Sequence, residues 1–171
     1  MNKIIFSNNK TAWLITCSIF ITGFIGIFIP FIFINYLPQS LFGEYMQLNQ
    51  AITYIVILLI LYFIITGVYL YKIKIDKYII GVTSYRTISS IFGKKNFIDI
   101  PVHMLKKFRF FNKRFTLNTM LILKFEPKKG KIITKRFRMS LLTEQEKEII
   151  SKALENIITH YNKNEQGYRK N

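Results

Sequence analysis

One cysteine, two histidines and nine acidic residues are all that this 171-residue chain offers to the commonest catalytic and metal-binding chemistries. Cys17 lies inside an apolar run, so no disulfide forms within one chain and no cysteine metal site exists. His103 falls at an expected turn and His160 on an expected helix, neither with a partner at metal-ligand spacing. Both are read as structural or solvated histidines. The strings HExxH, GxSxG and GxxxxGK[ST] are all missing. Glu144, Glu146 and Glu148 cluster near the C-terminus, where a helix start uses them better than an acid pair would. We therefore expect no enzyme, no metal and no cofactor.

Charge is as unevenly missing. Between Thr11 and Tyr71 the only ionised side chain is Glu44. From Lys72 to Arg138, eighteen Lys and Arg stand against Asp76, Asp99 and Glu126, a net of +15. From Met139 onward five basic and five acidic residues cancel, so the chain's +16 belongs to the middle segment. A basic segment suits nucleic acid, an anionic membrane surface or an acidic protein. A membrane span beside it favours the last two. Aromatics among basic residues also suit single-stranded nucleic acid, but beside a membrane anchor no nucleic acid is expected.

The uncharged stretch holds two apolar runs. The first, TAWLITCSIFITGFIGIFIPFIFINYLP, spans Thr11 to Pro38 and predicts a membrane helix over 12–35. It is far longer than the 7–15-residue core of a signal peptide. Trp13 and Tyr36 sit at its ends, where aromatic rings favour the membrane interface. Pro30 is expected to kink it, and lipid tolerates such a proline. Gly23 and Gly26 are three apart, the wrong spacing for a small-xxx-small dimer, and are read as sites of close packing on the second helix.

The second run predicts a helix over 51–71. The intervening loop, 36–50, has no Lys or Arg, whereas Lys3, Lys10, Lys72, Lys74 and Lys77 flank the two helices. By the positive-inside rule the loop is external and both termini are cytoplasmic. That makes a multi-pass protein of a bacterial-type inner membrane, with 1–11 as a cytoplasmic N-terminus. Leu41 to Leu48 reads as a short amphipathic turn in the interface.

At Tyr71 the period changes from continuous apolar to alternation, the mark of a strand. Strands are expected near Tyr71–Ile75, Tyr78–Ser84, Thr87–Phe92, Phe97–Ile100, Phe108–Asn112, Thr119–Phe125 and Ile132–Phe137. The stretches 93–96 and 127–130 read as basic hairpin tips. Pro101 can start a single helical turn. Thr143 and Glu146 form a capping box, and Ile149, Ile150, Ala153, Leu154, Ile157, Ile158 and Tyr161 follow at helical spacing. The soluble domain is thus expected at 72–162, with 163–171 a flexible tail. The fold class is an α+β membrane protein: a two-helix transmembrane hairpin, then a small barrel or sandwich capped by a helix.

Basic strands followed by one capped amphipathic helix resemble the pleckstrin-homology-like (PH-like) domain. A hairpin ahead of it resembles the bacterial membrane-anchored members of that family. The residues that carry the likeness are YKIKIDKYIIG (Tyr71–Gly81), FIDIPVHMLKKFRF (Phe97–Phe110) and TMLILKF…GKIITKRFRM leading into the helix. The resemblance implies a PH-like β-barrel at the inner membrane acting as a binding or scaffold module. Phosphoinositide recognition does not transfer on fold alone.

The candidate lipid- or partner-binding residues are Lys94, Lys95, Lys106, Lys107, Arg109, Lys113, Arg114, Lys128, Lys129 and Lys131. Basic residues close to an anionic cytoplasmic leaflet gain about 1 kcal/mol each. The plain alternative is that they are solvated strand faces which only reinforce topology. Phe108 and Phe110 share a strand face and are expected in the core, whereas Phe111 and Phe115 can form an exposed apolar and basic tip. The leading expectation is a scaffold or regulator that binds anionic lipid headgroups or a protein partner. Two alternatives remain open: an immunity or resistance protein working through its loop and hairpin against a membrane-acting toxin, and an accessory subunit of a larger membrane complex.

Overall fold

A computed structural model describes residues 3–48, 50–87, 96–112, 116–128 and 130–168. The chain divides into two compact units, one formed by residues 1–12 with 68–171 and the other by residues 13–67.

The first unit is two antiparallel sheets and a helix. Strands β1 (Ile4–Ser7), β2 (Tyr69–Ile75), β3 (Ile79–Arg86) and β4 (Asn96–Pro101) form one sheet in that order. A single 3-10 turn, Val102–Met104, follows Pro101. Then β5 (Leu105–Asn112), β6 (Asn118–Lys128) and β7 (Lys131–Ser140) form the second sheet in order. Alternation dictates what each strand buries. Ile73 and Ile75, Ile80 and Val82, Ile98 and Ile100 point inward from the first sheet; Leu121 and Leu123, Phe137 and Met139 point inward from the second. Helix α4 (Glu144–Tyr168) lies over this core with Ile150, Ala153, Leu154 and Ile157 buried at i, i+3, i+4, i+7. Burying a side chain of this size contributes about 1.5–3 kcal/mol.

Several element bounds differ from those expected. A strand not expected from the sequence lies within the N-terminal segment: β1 pairs with β2 from Ile4↔Ile75 to Ser7↔Lys72, with Ile4 and Phe6 packed on the core. Four residues beside an apolar run are too few to show a period, so this strand was invisible to pattern reading. The second apolar helix ends at Thr66 rather than 71. Gly67 takes a left-handed φ of 68°, the usual helix terminator, and donates to the Phe63 carbonyl at 2.9 Å. Tyr69 and Leu70 therefore belong to β2. The 163–171 tail is helical as far as Tyr168, since α4 spans Glu144–Tyr168. Arg86 ends β3 and Thr87 is a turn residue; the rest of the strand expected at Thr87–Phe92 lies outside the described residues.

The second unit is helical. It holds α1 from residue 13 on (the helix spans Asn9–Tyr36), α2 (Leu41–Leu48) and α3 (Gln50–Thr66). The helix α1 continues through Pro30 and is apolar all round. Among the described residues it is the one helix long and apolar enough to cross a membrane, and only 11% of its most apolar 18-residue window is buried. Phe20, Phe24, Phe28 and Phe31 are all exposed. The 17 residues of α3 extend about 25 Å, slightly under a hydrocarbon core of about 30 Å. The two helices meet at the glycines: a Cβ on Gly23 would lie 2.7 Å from Ile60 Cδ1, and one on Gly26 would lie 2.8 Å from Val56 Cγ1.

Candidate functional site

The register of β5, β6 and β7 assembles cations that are far apart in sequence. With Leu121, Leu123, Phe137 and Met139 turned inward, the alternate residues face out. Three successive rungs of that outer face read Lys107–Lys124–Thr134, Arg109–Ile122–Arg136 and Phe111–Met120–Arg138. Lys107, Arg109, Lys124, Arg136 and Arg138 are all exposed, and no acidic residue occurs in the nine positions. Directly opposed side chains lie about 4.5–5.5 Å apart at Cβ, where like charges such as Lys107 and Lys124 repel. An anionic partner relieves that repulsion. Between the cations run Phe111, Met120 and Ile122, an apolar strip bordered by positive charge.

Of the residues singled out from the sequence, Lys107 and Arg109 are on this face. Lys106 is displaced by an irregularity between Leu105 and Lys107 and sits 3.6 Å from the Glu126 carboxylate. Lys128 and Lys131 pair at the β6–β7 tip, beside Gly130 at φ 84°. Lys94, Lys95, Lys113, Arg114 and Lys129 lie outside the described residues, as does Phe115. Phe108 and Phe110 are half-buried against the core, edge to face at 6.2 Å, while Phe111 is exposed. Lys124, Arg136 and Arg138 complete the face and were not singled out. The alternation around Phe137 puts Arg136 and Arg138 on one side, but only the register places them beside Arg109.

β7 is an edge strand, and its free carbonyls are met by side chains instead of another strand. Asn8 Nδ2 donates to Ser140 O at 2.7 Å, Ser84 Oγ to Arg138 O, and Asn96 Nδ2 to Arg136 O at 2.6 Å. Alternate edge groups are thereby satisfied along the seam between the sheets. Beside the seam lies a recess of about 300 Å³ lined by Arg86, Arg136, Arg138, Tyr69, Tyr85, Ser84 and Asn96. None of these residues is acidic. The inner faces of three strands change character as they reach it: Ile80 and Val82 give way to Ser84 and Arg86, Ile100 and Ile98 to Asn96, and Tyr71 to Tyr69. Arg138 Nη1 donates to Tyr69 Oη at 2.7 Å, and its guanidinium lies 5.5 Å from the centre of that ring.

A second, apolar recess of about 220 Å³ lies between α1 and α3, bordered by Ile27, Pro30, Ile34 and Tyr54. Among the described residues no three His, Cys, Asp or Glu side chains converge as a metal site would require. No family model, curated protein or solved structure matches the chain.

Proposed function

We propose that the chain is a non-catalytic, membrane-anchored scaffold or regulatory module whose basic β-unit binds anionic lipid headgroups. The observation that carries this reading is the acid-free outer face of β5–β7, with five cations around an apolar strip. Each such cation near an anionic leaflet adds about 1 kcal/mol. Exposed Phe111 suits insertion among headgroups.

The anchor is a two-helix hairpin of α1 and α3, with α2 in the external interface. Two features support it. Five lysines flank the helical segment and none lies in 36–50. The chain also leaves a sheet at Ser7 and re-enters the neighbouring strand at Tyr69, which suits two crossings and both termini on one side. A cleaved signal peptide fits poorly, because cleavage would remove β1 along with α1. Sheets of four and three strands closed by a C-terminal helix support a PH-like architecture interrupted after its first strand. The membrane this implies is a bacterial-type inner membrane, with the β-unit in the cytoplasm.

The test uses the full chain in nanodiscs, with Trp13→Phe and Phe111→Trp introducing a single reporter. Adding phosphatidylglycerol to phosphatidylcholine discs shifts Trp emission to the blue at low salt. Raising salt reverses the shift, because ions screen over about 10 Å at 0.1 M. Combining Lys107→Glu, Arg109→Glu and Lys124→Glu abolishes it. An emission spectrum indifferent to anionic lipid at low salt overturns the reading.

A further inference from the structure

The recess at the sheet seam has a different chemistry from the open face, and we infer that it is a discrete site for a phosphomonoester group. It deepens the proposed function and rests on that reading for where the ligand comes from, not for what the recess recognises. Three guanidinium groups, of Arg86, Arg136 and Arg138, line one space of about 300 Å³ with no carboxylate among the lining residues. Their mutual repulsion is relieved by an anion carrying more than one charge. A phosphomonoester carries close to two at neutral pH and offers three acceptor oxygens. Planar guanidinium forks match such oxygens two at a time, which Lys107 and Lys124 cannot; Arg136 and Arg138 lie at the rim where the recess meets the open face.

The Arg138 guanidinium is held in place rather than swinging freely. Tyr69 fixes Arg138 through its hydroxyl at 2.7 Å and its ring. Ser84 and Asn96 grip the Arg138 and Arg136 carbonyls, so both backbone positions are set by the neighbouring sheet. Arg86 is half-buried at the end of β3, directly opposite Tyr69 in the β2–β3 register. Guanidinium groups positioned before binding lose little freedom on capture. The volume is at the small end for ligand pockets and suits a phosphate with a short polyol, as in a lipid headgroup or a free sugar-type phosphate. A phosphodiester, with one charge and two free oxygens, fits the three arginines less well.

The experiment is calorimetric titration of the full chain in phosphatidylcholine nanodiscs. The probes are glycerol 3-phosphate, a monoester, and glycerophosphoglycerol, a diester. Saturable binding of the monoester, roughly tenfold or more tighter than the diester, is expected. Arg86→Gln and, separately, Arg138→Gln weaken it by roughly tenfold or more, while Lys72→Gln, on the outer face of the first sheet, does not. Arg86→Lys, which keeps the charge without the fork, recovers only part of the loss. Unchanged melting curves show that the variants are folded. Equal binding of both esters, or indifference to both arginine variants, overturns the site and leaves the open face standing. Monoester binding without the lipid-dependent Trp shift has the opposite meaning: the recess stands and the membrane-reading face falls. Short-chain phosphatidic acid in the disc that competes with glycerol 3-phosphate assigns the site to a headgroup. Failure to compete assigns it to a soluble phosphate ester.

Discussion

Asn8, just past the end of β1, ties β2 to β7 with one amide. Its Nδ2 donates to Tyr69 O and Ser140 O at 2.9 and 2.7 Å, and its Oδ1 accepts from Tyr71 N–H at 2.8 Å. Asn8→Ala leaves these buried groups without their partner, at about 1–3 kcal/mol for each one stranded. We expect a loss of about 2–4 kcal/mol in total, with part of the deficit met by water, read as a lower unfolding midpoint of the full chain in detergent. Asn8→Asp tests the donor directly, since a carboxylate cannot donate to the two carbonyls.

Tyr71 gives a pH signature. Burial first, then the Glu146 carboxylate accepting its hydroxyl at 3.3 Å, push its pKa well above the ordinary value of 10. In the window above pH 10 the unfolded chain releases this proton while the folded chain keeps it, so folding stability falls as pH rises. Below that window the group makes no pH-dependent contribution. Melting of wild type against Tyr71→Phe should therefore diverge least below pH 10 and shift in favour of the Phe variant above it. A gap between the two that is flat across this window refutes the assignment. Glu146 itself was legible: its carboxylate accepts from Thr143 N–H at 3.0 Å, and Thr143 Oγ1 accepts from Glu146 N–H at 3.2 Å, the capping box that the spacing predicts. Asn8, Ser84 and Arg86 were not, because nothing local to them signals which distant edge they meet.

Strand alternation announced most of the β-unit, since one buried face imposes a period of two on each strand. β2 and β4 were clear for that reason, and the closing helix from its capping box and i, i+3, i+4, i+7 apolar spacing. β1 was too short to show any period. The α3–β2 junction was hidden because Val68, Leu70 and Tyr71 are apolar whichever element claims them, and Gly67 alone marks the change. Helix packing was readable from residue size. Gly23 and Gly26 face Ile60 and Val56 closely enough that a larger side chain forces α1 and α3 apart. Gly26→Leu is expected to cost about 1–3 kcal/mol, seen as a lower melting temperature in detergent. Val56→Ala in the same chain should restore much of the loss. No rescue would mean that the two helices do not meet here.

The β-unit is discontinuous in sequence, and this has a direct consequence for dissection. Replacing residues 13–67 by a short Gly/Ser linker should yield a soluble, β-rich protein with a cooperative melt. Residues 68–171 alone should not, because β2 would present a bare edge and Asn8 would be missing. Circular dichroism of the two proteins separates these outcomes. The basic character of the unit was plain from composition. How the charges gather was not, because Lys107, Lys124 and Arg136 become neighbours only through the register of three strands.

We propose that the helical segment crosses a membrane twice, with the basic unit on the inner side. Cysteine accessibility tests this most directly, in a Cys17→Ala background carrying either Gln39→Cys or Lys131→Cys. Both positions are exposed, one in the 36–50 loop and one at the β6–β7 tip. In intact cells a membrane-impermeant maleimide should label Gln39→Cys at once and Lys131→Cys only after permeabilisation. Labelling of Lys131→Cys in intact cells, or protection of Gln39→Cys there, contradicts it.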